Sequence, residues 1–471
     1  SKSELVDAMR KIALEVNSIF IATDPDIEGE KIAYDVYCSL YPMNHRVERL
    51  EFHEITKKAF LQAIKNRREI NLRMVEAQLV RRIEDRWVGF ELSQKLWRKF
   101  QNYRLSAGRV QTPVLGWIIE RVSESRRKKK VLSAVLSNGL KVSIENPVIQ
   151  FPDEQIEKRI SELKARIVDL KTEEKSVNPP PPYTTDTLLR DASAKLGFPA
   201  TKTMLIAQDL FEMGLCTYHR TDSTTVSAVG IGIAKNYIQE KYPSLFVPRR
   251  YFMEGAHECI RPTRALDVEQ LKNLISMGIL RFPKRLTSDH FQLYDLIFKR
   301  FIASQMREAK LLYQQFKVLI DGNQAFVENP VSILSEGFNT ILPIKTANAV
   351  EEGEYPLKFA RLLYLPAARP FTQGEIIALM KERGVGRPST YAKTVATILE
   401  RRYAIEKRNR LISTKLGFKV YKYLSLRFGK YTSEEATRKL ESIMDMIEQG
   451  KVDYKEILKE LYHEILEIRK V

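Results

Sequence analysis

Three carboxylates near the beginning of the chain could hold a metal ion. Asp24, Asp26 and Glu28 follow the apolar run Ser18–Ala22, which predicts a buried strand. Alternate residues of an extended segment point the same way, so the three side chains could converge. Mg²⁺ is typically held by one or two carboxylates with water and phosphate oxygens. A solvated acidic loop that caps the next helix explains the same residues, and the spacing alone favours neither interpretation.

A second candidate is the reactive segment Gly214–Ser223. A tyrosine hydroxyl can attack phosphorus and form a covalent phosphotyrosine, although a phenol with a pKa of about 10 needs help. In an extended segment Arg220 faces the same side as Tyr218 and could stabilise charge on a phosphate, while His219 could act on the other face. For an isolated Tyr-x-Arg, a core tyrosine beside a surface arginine is the favoured interpretation. Sequence physics alone does not single out Tyr218 among 20 tyrosines.

The composition predicts a globular protein that binds a polyanion. The chain has 471 residues, which at roughly 100–200 residues per domain predicts several domains. Its net charge of +18 indicates a nucleic acid partner, although a solvated basic surface is the simpler alternative. Cys38, Cys216 and Cys259 are scattered, which argues against a disulfide framework or a zinc ribbon and favours a reducing compartment. No apolar run or leader-like segment predicts a membrane span or secretion.

The order of elements predicts a multidomain α/β plus α protein. Helix Glu4–Val16, strand Ser18–Ala22, a helix from about Gly29 to Leu40 and strand Arg49–His53 together indicate a parallel sheet. Two strand-rich blocks, at about 130–182 and 311–365, flank a helical block. The proline run at 179–182 can continue neither a helix nor a central strand, and it is the clearest candidate for a hinge.

Helical periodicity and capping patterns support the remaining assignments. The segment 56–125 is predicted to be helical, with one apolar face formed by Leu79, Ile83 and Trp87. Two capping boxes are predicted, Thr372 with Glu375 and Thr432 with Glu435. After the second box, an apolar helical face is predicted from Leu440, Ile443, Met444 and Ile447.

Seven motifs in the same order resemble the type IA DNA topoisomerase family. They include an acidic Toprim motif, an F-x-E-I-T-like segment, two DNA-binding helices and the nucleophile motif. The other two resemble A-H-E-A-I-R-P-T and R-G-I-G-R-P-S-T-Y. The seven segments are Thr23–Glu30, Phe52–Thr56, Arg81–Arg86, Leu105–Pro113, Thr217–Ser223, Ala256–Thr263 and Arg383–Tyr391.

Within the family, two details are most similar to the topoisomerase module of reverse gyrase. These are the segment Glu28–Asp35 and His53, which stands where bacterial topoisomerase I usually has Asn. Reverse gyrase joins this module to a helicase-like ATPase, and no G-x-x-x-x-G-K-[ST] loop is found here. The family's opening strand, which carries a glutamate, also has no match, so the chain is expected to begin inside the Toprim domain.

The resemblance implies a toroidal core built from six segments. A β-rich arch would swing the tyrosine domain away from the Toprim domain so that a second strand can pass. The expected segments are a partial Toprim domain (1–55), a helical DNA-binding domain (56–125 and 366–471), a β-rich arch (126–182 and 311–365) and a helical domain with the nucleophile (183–310).

The resemblance also implies roles for individual residues. Tyr218 would attack a backbone phosphate, Arg220 would stabilise the pentavalent phosphorus, and His257 would position the phosphate or a nearby arginine. Mg²⁺, held by the three carboxylates of the acidic motif, would help to align the DNA ends for religation. The single-strand groove and a phosphate site before a helix would involve Arg81, Asp85, Gly108, Arg109, Arg387, Ser389 and Thr390. For the last three residues, a plain helix cap is an equally good interpretation.

Several functional interpretations remain open at this point. The expected partners are a single-stranded DNA segment, a passing strand and a helicase-like ATPase half on the same or another chain. The expected compartment is the cytoplasm, in association with the nucleoid. The alternatives are an ordinary relaxing or decatenating topoisomerase, a Toprim nuclease or primase-like protein, and a non-catalytic DNA binder.

Overall fold

The N-terminal segment forms a small parallel α/β unit in a computed structural model that describes residues 2–148, 163–253 and 257–470. Its elements are α1 (Lys2–Glu15), β1 (Ile19–Ile21), α2 (Ile27–Leu40) and β2 (Val47–Arg49), and β1 pairs with β2 in parallel. The predicted strand Arg49–His53 has the wrong bounds, because the paired strand β2 spans Val47–Arg49. The Leu50 N–H still bonds to the Ile21 carbonyl at 2.9 Å, and the following residues then leave the sheet.

Three helices follow: α3 (Lys57–Lys65), α4 (Leu72–Phe100) and α5 (Gln111–Arg126). The predicted apolar face of α4 is wrong, since Trp87 is 40% exposed and Leu79 and Ile83 are only half-buried. The buried stripe contains Val80, Val88 and Leu92 instead. Helix α4 contacts α2, α14 (Glu434–Glu448) and α15 (Tyr454–Lys470), so the tertiary neighbours decide which face is covered.

One antiparallel sheet combines strands from both strand-rich blocks. The strands are β3 (Lys128–Leu136), β4 (Lys141–Glu145), β5 (Lys164–Val177), β6 (Ala309–Ile320), β7 (Asn323–Ser335) and β8 (Gly353–Pro366). Their order is β4-β3-β8-β5-β6-β7, with a core that includes Leu132, Ala134, Phe316 and Val318. The Asn323 side chain bonds to both the N–H and the carbonyl of Val148 at 2.7 Å, which brings the two ends of the sheet together.

Between β5 and β6 the chain forms the helical segment that contains Tyr218. Its helices are α6 (Thr185–Lys195), α7 (Ala200–Glu212), α8 (Ala228–Lys241), α9 (Val268–Ser276) and α10 (Ser288–Ser304), with a 3₁₀ turn at Pro243–Leu245. They pack around buried residues of α10 such as Leu293, Ile297 and Phe301. The proline run at 179–182 lies between β5 and α6, where neither helix nor strand forms, and its role as a hinge stays a prediction.

The C-terminal segment is helical with one hairpin that the sequence did not reveal. Its elements are α11 (Gln373–Glu382), α12 (Tyr391–Glu400), β9 (Ala404–Lys407), β10 (Arg410–Ser413), α13 (Lys415–Thr432), α14 and α15. The capping box of Thr372 and Glu375 is confirmed. The second box is wrong: Thr432 ends α13, and Ser433 caps α14 by accepting the Ala436 N–H at 3.2 Å.

The C-terminal helices share their core with the helices that precede the sheet. The predicted apolar face of α14 is confirmed, because Leu440, Met444 and Ile447 are buried and Ile443 packs beside them. Residues of α4, α5, α11, α12 and α13 form one further apolar cluster. The helices after the sheet therefore complete the same core that α4 and α5 begin before it. Among the described residues, no helix has the length and apolar character that crossing a membrane requires.

Candidate active site

A close backbone approach places the helical segment from α6 to α10, called the tyrosine segment below, against the N-terminal unit. Helix α7 ends near Gly214, whose φ of +65° favours glycine, and a Cβ there would lie 2.3 Å from the Ile55 carbonyl oxygen. The Tyr218 N–H donates to the His53 carbonyl at 2.7 Å. The residues that leave the sheet after β2 thus form hydrogen bonds with the tyrosine segment instead of with β1.

The Tyr218 hydroxyl lies against the acidic motif. It donates to Asp26 Oδ2 at 2.7 Å and approaches Asp24 Oδ2 at 3.5 Å. The tyrosine is only 2% exposed. Burial, followed by the negative charges of Asp26 and Asp24, raises the pKa of Tyr218 above its ordinary value. The hydroxyl is therefore held protonated in this closed arrangement, with two acceptors for its proton beside it.

Arg220 lies on the same side as Tyr218, as the alternation predicted. Its Nη1 atom lies 4.0 Å from Asp26 Oδ2, and the side chain is half-buried. The positive charge of Arg220 opposes the rise in the pKa of Tyr218. The guanidinium and the phenol thus meet at one carboxylate, which is the arrangement needed to stabilise negative charge near the tyrosine oxygen.

The three carboxylates of the acidic motif do not converge. Asp26 is the N-cap of α2, and its Oδ1 accepts the Gly29 N–H at 2.7 Å. The extended alternation therefore ends at Asp26, and Glu28 lies in the first helical turn, where it contacts Gln78 and Arg82 of α4. In residues 2–148, 163–253 and 257–470, no three His, Cys, Asp or Glu side chains group together as metal ligands. The three-residue ligand set stays a prediction.

Asp24 and Asp26 nevertheless form a pair that suits a hard cation. Burial, and then the neighbouring charge of Asp26, raises the pKa of Asp24. Two adjacent carboxylates of this kind are stabilised by a divalent cation, and Mg²⁺ commonly uses one or two carboxylates with water and phosphate oxygens. The donor chemistry of the pair therefore fits Mg²⁺ without requiring Glu28.

Arg49 supports the acidic loop and was missed from the sequence. Its side chain is fully buried and donates to the carbonyls of Thr23 at 3.0 Å and Asp24 at 2.8 Å. A third hydrogen bond, at 3.1 Å, reaches Glu30. The loop's backbone is thereby fixed beneath Tyr218. The only hint in the sequence is an arginine inside a segment that otherwise reads as a buried strand.

The histidines near the site differ in their surroundings. The rings of His53 and His257 meet edge to face, with centroids 5.8 Å apart, and burial together with His257 lowers the pKa of His53. The expected role of His257 stays a prediction, and Ala256 of the same motif lies outside the described residues. His219 is buried, and burial lowers its pKa to about 3. The ring of His219 therefore faces the core, which does not support a second acid or base at this position.

A buried ion pair joins the tyrosine segment to the N-terminal unit. Arg261 donates to Glu54 at 2.8 Å and to Glu258 at 2.5 Å, and it is only 1% exposed. Burial disfavours the charged guanidinium, but Glu258 and Glu54 outweigh that effect and raise the pKa of Arg261. Arg261 belongs to a motif found in the sequence, whereas its partner from a segment about 200 residues earlier could not be inferred.

The predicted DNA-binding arginines lie together along α14 and α15, each paired with a carboxylate. Glu441 contacts both Arg81, at 3.6 Å, and Arg387, at 2.8 Å. Arg109 pairs with Glu464 at 3.0 Å. The structure therefore brings residues from three distant motifs to one face of the helical body, and their binding of DNA stays a prediction.

The other predicted DNA-binding positions occupy helix ends or solvent. Asp85 is exposed on α4, and the Gly108 carbonyl accepts the Thr112 N–H at 3.1 Å where α5 begins. Ser389 is exposed just before α12. Thr390 precedes α12 but makes no side-chain cap to it, because its hydroxyl accepts the Arg387 N–H at 2.9 Å. A plain side-chain cap therefore does not explain Thr390.

Comparison with known families identifies the class to which this fold and site belong. The DNA topoisomerase family model matches residues 69–459, and the Toprim domain model matches residues 1–55. The solved structure of full-length topoisomerase I from Thermotoga maritima superposes with a TM-score of 0.82 at 32% identity, covering 99% of this chain and 80% of that one. The chain belongs to the type IA DNA topoisomerase family.

Among its relatives, reverse gyrases show high identity along nearly the whole chain. The reverse gyrase of Pyrococcus furiosus is 50% identical over 471 residues, which is 98% of this chain and 38% of that protein. Reverse gyrase 1 of Aquifex aeolicus is 47% identical over 477 residues, covering 100% of this chain and 41% of that protein. The chain thus spans about two fifths of the length of these relatives.

Proposed function

We propose that the chain is the strand-cleaving and rejoining module of a reverse gyrase. The hydrogen bond from Tyr218 to Asp26 at 2.7 Å carries this proposal, because it places a nucleophile beside a proton acceptor and a candidate cation site. Arg220, at 4.0 Å from the same carboxylate, supplies the positive charge that phosphoryl transfer requires.

In the proposed reaction, the Tyr218 oxygen attacks a backbone phosphate of a single-stranded segment. The bond from the tyrosine oxygen to phosphorus forms, the bond from phosphorus to the 3′ oxygen breaks, and the 3′ oxygen takes up a proton. The products are a 5′-phosphotyrosine and a free 3′-hydroxyl. Arg220 stabilises the charge on the pentavalent phosphorus. Reversal restores the strand without ATP, because the phosphotyrosine ester retains the energy of the broken bond.

In the closed arrangement Asp26 accepts a hydrogen bond from the Tyr218 hydroxyl, with Asp24 beside it, and Asp26 would take up that proton as the tyrosine oxygen attacks. These two residues would hold Mg²⁺, which when bound aligns the cleaved ends for religation. Glu28 could join them only by leaving Gln78 and Arg82. His257, beside His53, would position the phosphate or a neighbouring arginine.

DNA is the proposed substrate, and the proposed path of the single strand runs along Arg81, Arg109 and Arg387. Because each arginine is paired with a carboxylate, bound phosphates would have to compete with Glu441 and Glu464. The charge of such a groove predicts binding that weakens as salt rises. The proposed partner is a helicase-like ATPase half, with which the module would introduce positive supercoils in the cytoplasm.

A covalent-trap assay tests the proposal. Single-stranded DNA labelled on the 3′ side of the cut is mixed with the protein and denatured with detergent. We expect label to migrate with the wild-type protein and to be lost with Tyr218→Phe. Tyr294→Phe is the matched control, because it removes another buried hydroxyl, one that bonds to the Leu266 carbonyl at 2.7 Å. If the adduct persists in Tyr218→Phe, the assignment of the nucleophile is wrong.

An ordinary relaxing topoisomerase is the second candidate, favoured by the structural similarity to topoisomerase I from Thermotoga maritima. The two candidates share the chemistry of Tyr218 and differ in the direction of supercoiling. The test adds ATP to the full-length protein from the same source and follows plasmid topology. Positive supercoils support the reverse gyrase assignment, whereas relaxation that does not depend on ATP supports the alternative.

A further inference from the structure

A strongly basic stretch lies in the C-terminal segment, on elements other than those that carry Tyr218 and the acidic motif. Residues 401–430 contain ten Lys or Arg residues and one acidic residue, Glu406. Three of the ten basic residues have polar partners: Arg401 with Ser106, Arg410 with Glu375 and Lys430 with Glu467. The other seven are exposed and form no ion pair with any described residue: Arg402, Lys407, Arg408, Lys415, Lys419, Lys422 and Arg427.

The β9–β10 hairpin and α13 follow each other directly in the chain and carry six of these seven cations. We call the exposed positions Lys407, Arg408, Lys415, Lys419 and Lys422 the hairpin–α13 surface. In α13, the helical spacing places Lys415, Lys419 and Lys422 on one face, while Val420 and Leu424 are buried on another. The β9–β10 hairpin precedes this helix directly. Its inner face is covered through Ala404 and Leu411, so Lys407 lies on the open face.

The tip of the hairpin holds a cation in an unfavourable backbone conformation. Arg408 and Asn409 both have positive φ, at 50° and 59°, in a two-residue turn between Lys407 and Arg410. Such turns prefer Asn, Asp or Gly at both positions, because a Cβ disfavours this region. An arginine at the first position therefore places a guanidinium at the outermost point of the hairpin at a cost in backbone energy.

The length of this surface matches an extended polyanion. The part of α13 before its kink at Phe428, Lys415–Arg427, has 13 residues, so it is about 20 Å long at 1.5 Å per residue. That length corresponds to about six base pairs of duplex at 3.4 Å each. Lys430, beyond the kink, lies with Arg109 in the lining of one cavity, next to the predicted single-strand groove. The surface therefore extends from the groove toward the hairpin.

The side chains that line a surface indicate whether it binds duplex or single-stranded DNA. Single-strand sites interleave cations with exposed aromatic rings on which bases stack. A groove of this kind, about 670 Å³ in volume, lies between α4 and α15 and is lined by Trp87, Phe90 and Tyr462. In residues 401–430, by contrast, Phe418 is the one exposed aromatic ring, so contacts to phosphates dominate the hairpin–α13 surface.

The geometry points to the hairpin–α13 surface as a binding site for the backbone of duplex DNA that flanks the single-stranded segment to be cut. This inference deepens the proposed function and rests on it. The exposed cations would contact phosphates without reading base sequence, and they would hold the duplex next to the groove that receives the single strand.

The test compares the salt dependence of binding for two DNAs with one variant. The variant is Lys407→Gln, Arg408→Gln, Lys415→Gln and Lys419→Gln combined. One DNA is a single-stranded oligonucleotide, and the other carries a duplex arm beside the same single-stranded site. We expect the negative slope of log affinity against log salt to become less steep by up to about 3.6 for the duplex-arm DNA, since four lost contacts contribute about 0.9 each. The slope for the single strand should not change.

The control variant removes the same charge from exposed lysines elsewhere: Lys11, Lys57, Lys58 and Lys235 each replaced by Gln. It should bind both DNAs like the wild type. An unchanged slope for the duplex-arm DNA, or an equal loss of steepness for both DNAs, would overturn the inference. The covalent adduct on single-stranded DNA is measured in parallel. If the wild-type protein forms no adduct, the proposed function is contradicted. The salt dependence of binding to the duplex-arm DNA tests the hairpin–α13 surface independently.

Discussion

At the scale of single residues, the site is organised by carboxylates that each serve two partners. Asp26 caps α2 with one oxygen and accepts the Tyr218 hydroxyl with the other. Glu54 reaches across to Arg261, which also binds Glu258. Because these groups have little exposure and are shared between segments, a change at one residue should weaken the contact between the N-terminal unit and the tyrosine segment.

Arg261→Met should destabilise the protein strongly. The substitution leaves Glu54 and Glu258 partly buried without their cation, and breaking such a pair typically costs about 3–5 kcal/mol. Denaturant unfolding at neutral pH measures the change in the free energy of unfolding. Arg264→Met, at a neighbouring exposed position, is the control and should change it little. A similarly small effect for both variants would show that the ion pair contributes little to stability.

Asp209 should make stability depend on pH in the acidic range. Burial opposes its ionisation, but hydrogen bonds from Lys284 and His290 outweigh burial and lower the pKa of Asp209. A lowered pKa in the folded state means that the contribution is fully present above the unfolded value of about 3.9 and is lost as pH falls through the folded pKa.

Asp209→Asn is the corresponding experiment. We expect the variant to be less stable than the wild type at pH 7, with the difference shrinking as the pH falls below about 4. Denaturant midpoints of both proteins over this range measure it. Asp453→Asn is a control without an ion pair among the described residues, and it should follow the wild type. A difference that stays constant down to low pH would contradict the linkage.

At the scale of elements, glycine allows two segments to approach more closely than any other residue would. Gly29 folds the acidic loop back on itself, where a Cβ would lie 2.0 Å from the Asp24 carbonyl oxygen. Gly214 brings the end of α7 against Ile55. The positions of Asp24, Asp26 and Tyr218 therefore depend on backbone contacts rather than on side-chain packing alone.

Gly214→Ala should weaken the contact between the tyrosine segment and the N-terminal unit. The new methyl group would clash with the Ile55 carbonyl, and a positive φ adds strain of roughly 1–3 kcal/mol. We expect lower thermal stability and slower formation of the covalent adduct. Gly232→Ala is the matched control, since that glycine lies within α8 with open space around it, and alanine favours a helix. Equal behaviour of the two variants would argue against the role of Gly214.

Much of this element structure could be predicted from the sequence, whereas contacts between distant segments could not. The strand before Asp24, the capping box at Thr372 and the alternation of Tyr218 with Arg220 are local patterns, and the structure confirms them. The contact of Glu28 with Gln78 depends on a helix 50 residues away, which no local period reveals. The hairpin at 404–413 was missed because its two strands have only four residues each.

At the scale of the whole molecule, the described arrangement is closed over the proposed nucleophile, Tyr218. Tyr218 is 2% exposed, and hydrogen bonds to His53 and Asp26 hold it against the N-terminal unit. Passing a second strand through the break would require these contacts and the pair of Arg261 with Glu54 to separate. The proposed mechanism therefore requires an element that moves the tyrosine segment. The sheet is suited to that role, because its strands precede and follow this segment in the chain.

The connection from the sheet to the tyrosine segment should control how well movement of the sheet is passed to that segment. The proline run at 179–182 joins β5 to α6 without a helix or strand, and Pro181 accepts a hydrogen bond from Arg300 of α10 at 2.7 Å. Proline restricts the backbone, so movement of the sheet would be transmitted to α6 rather than absorbed. Replacing the four prolines by glycine should slow relaxation of a supercoiled plasmid several-fold, because a flexible connection uncouples the two parts.

Cleavage of a short single-stranded oligonucleotide should be unaffected by the same four substitutions, since it requires no passing strand. Pro243→Gly is the control, because that residue lies in a 3₁₀ turn after α8 and not between the sheet and the helices. Plasmid relaxation and oligonucleotide cleavage are measured side by side for each variant. Unchanged relaxation in the glycine variant would rule out the proline run as the hinge, and equal losses in both assays would point to damage at the site rather than to uncoupling.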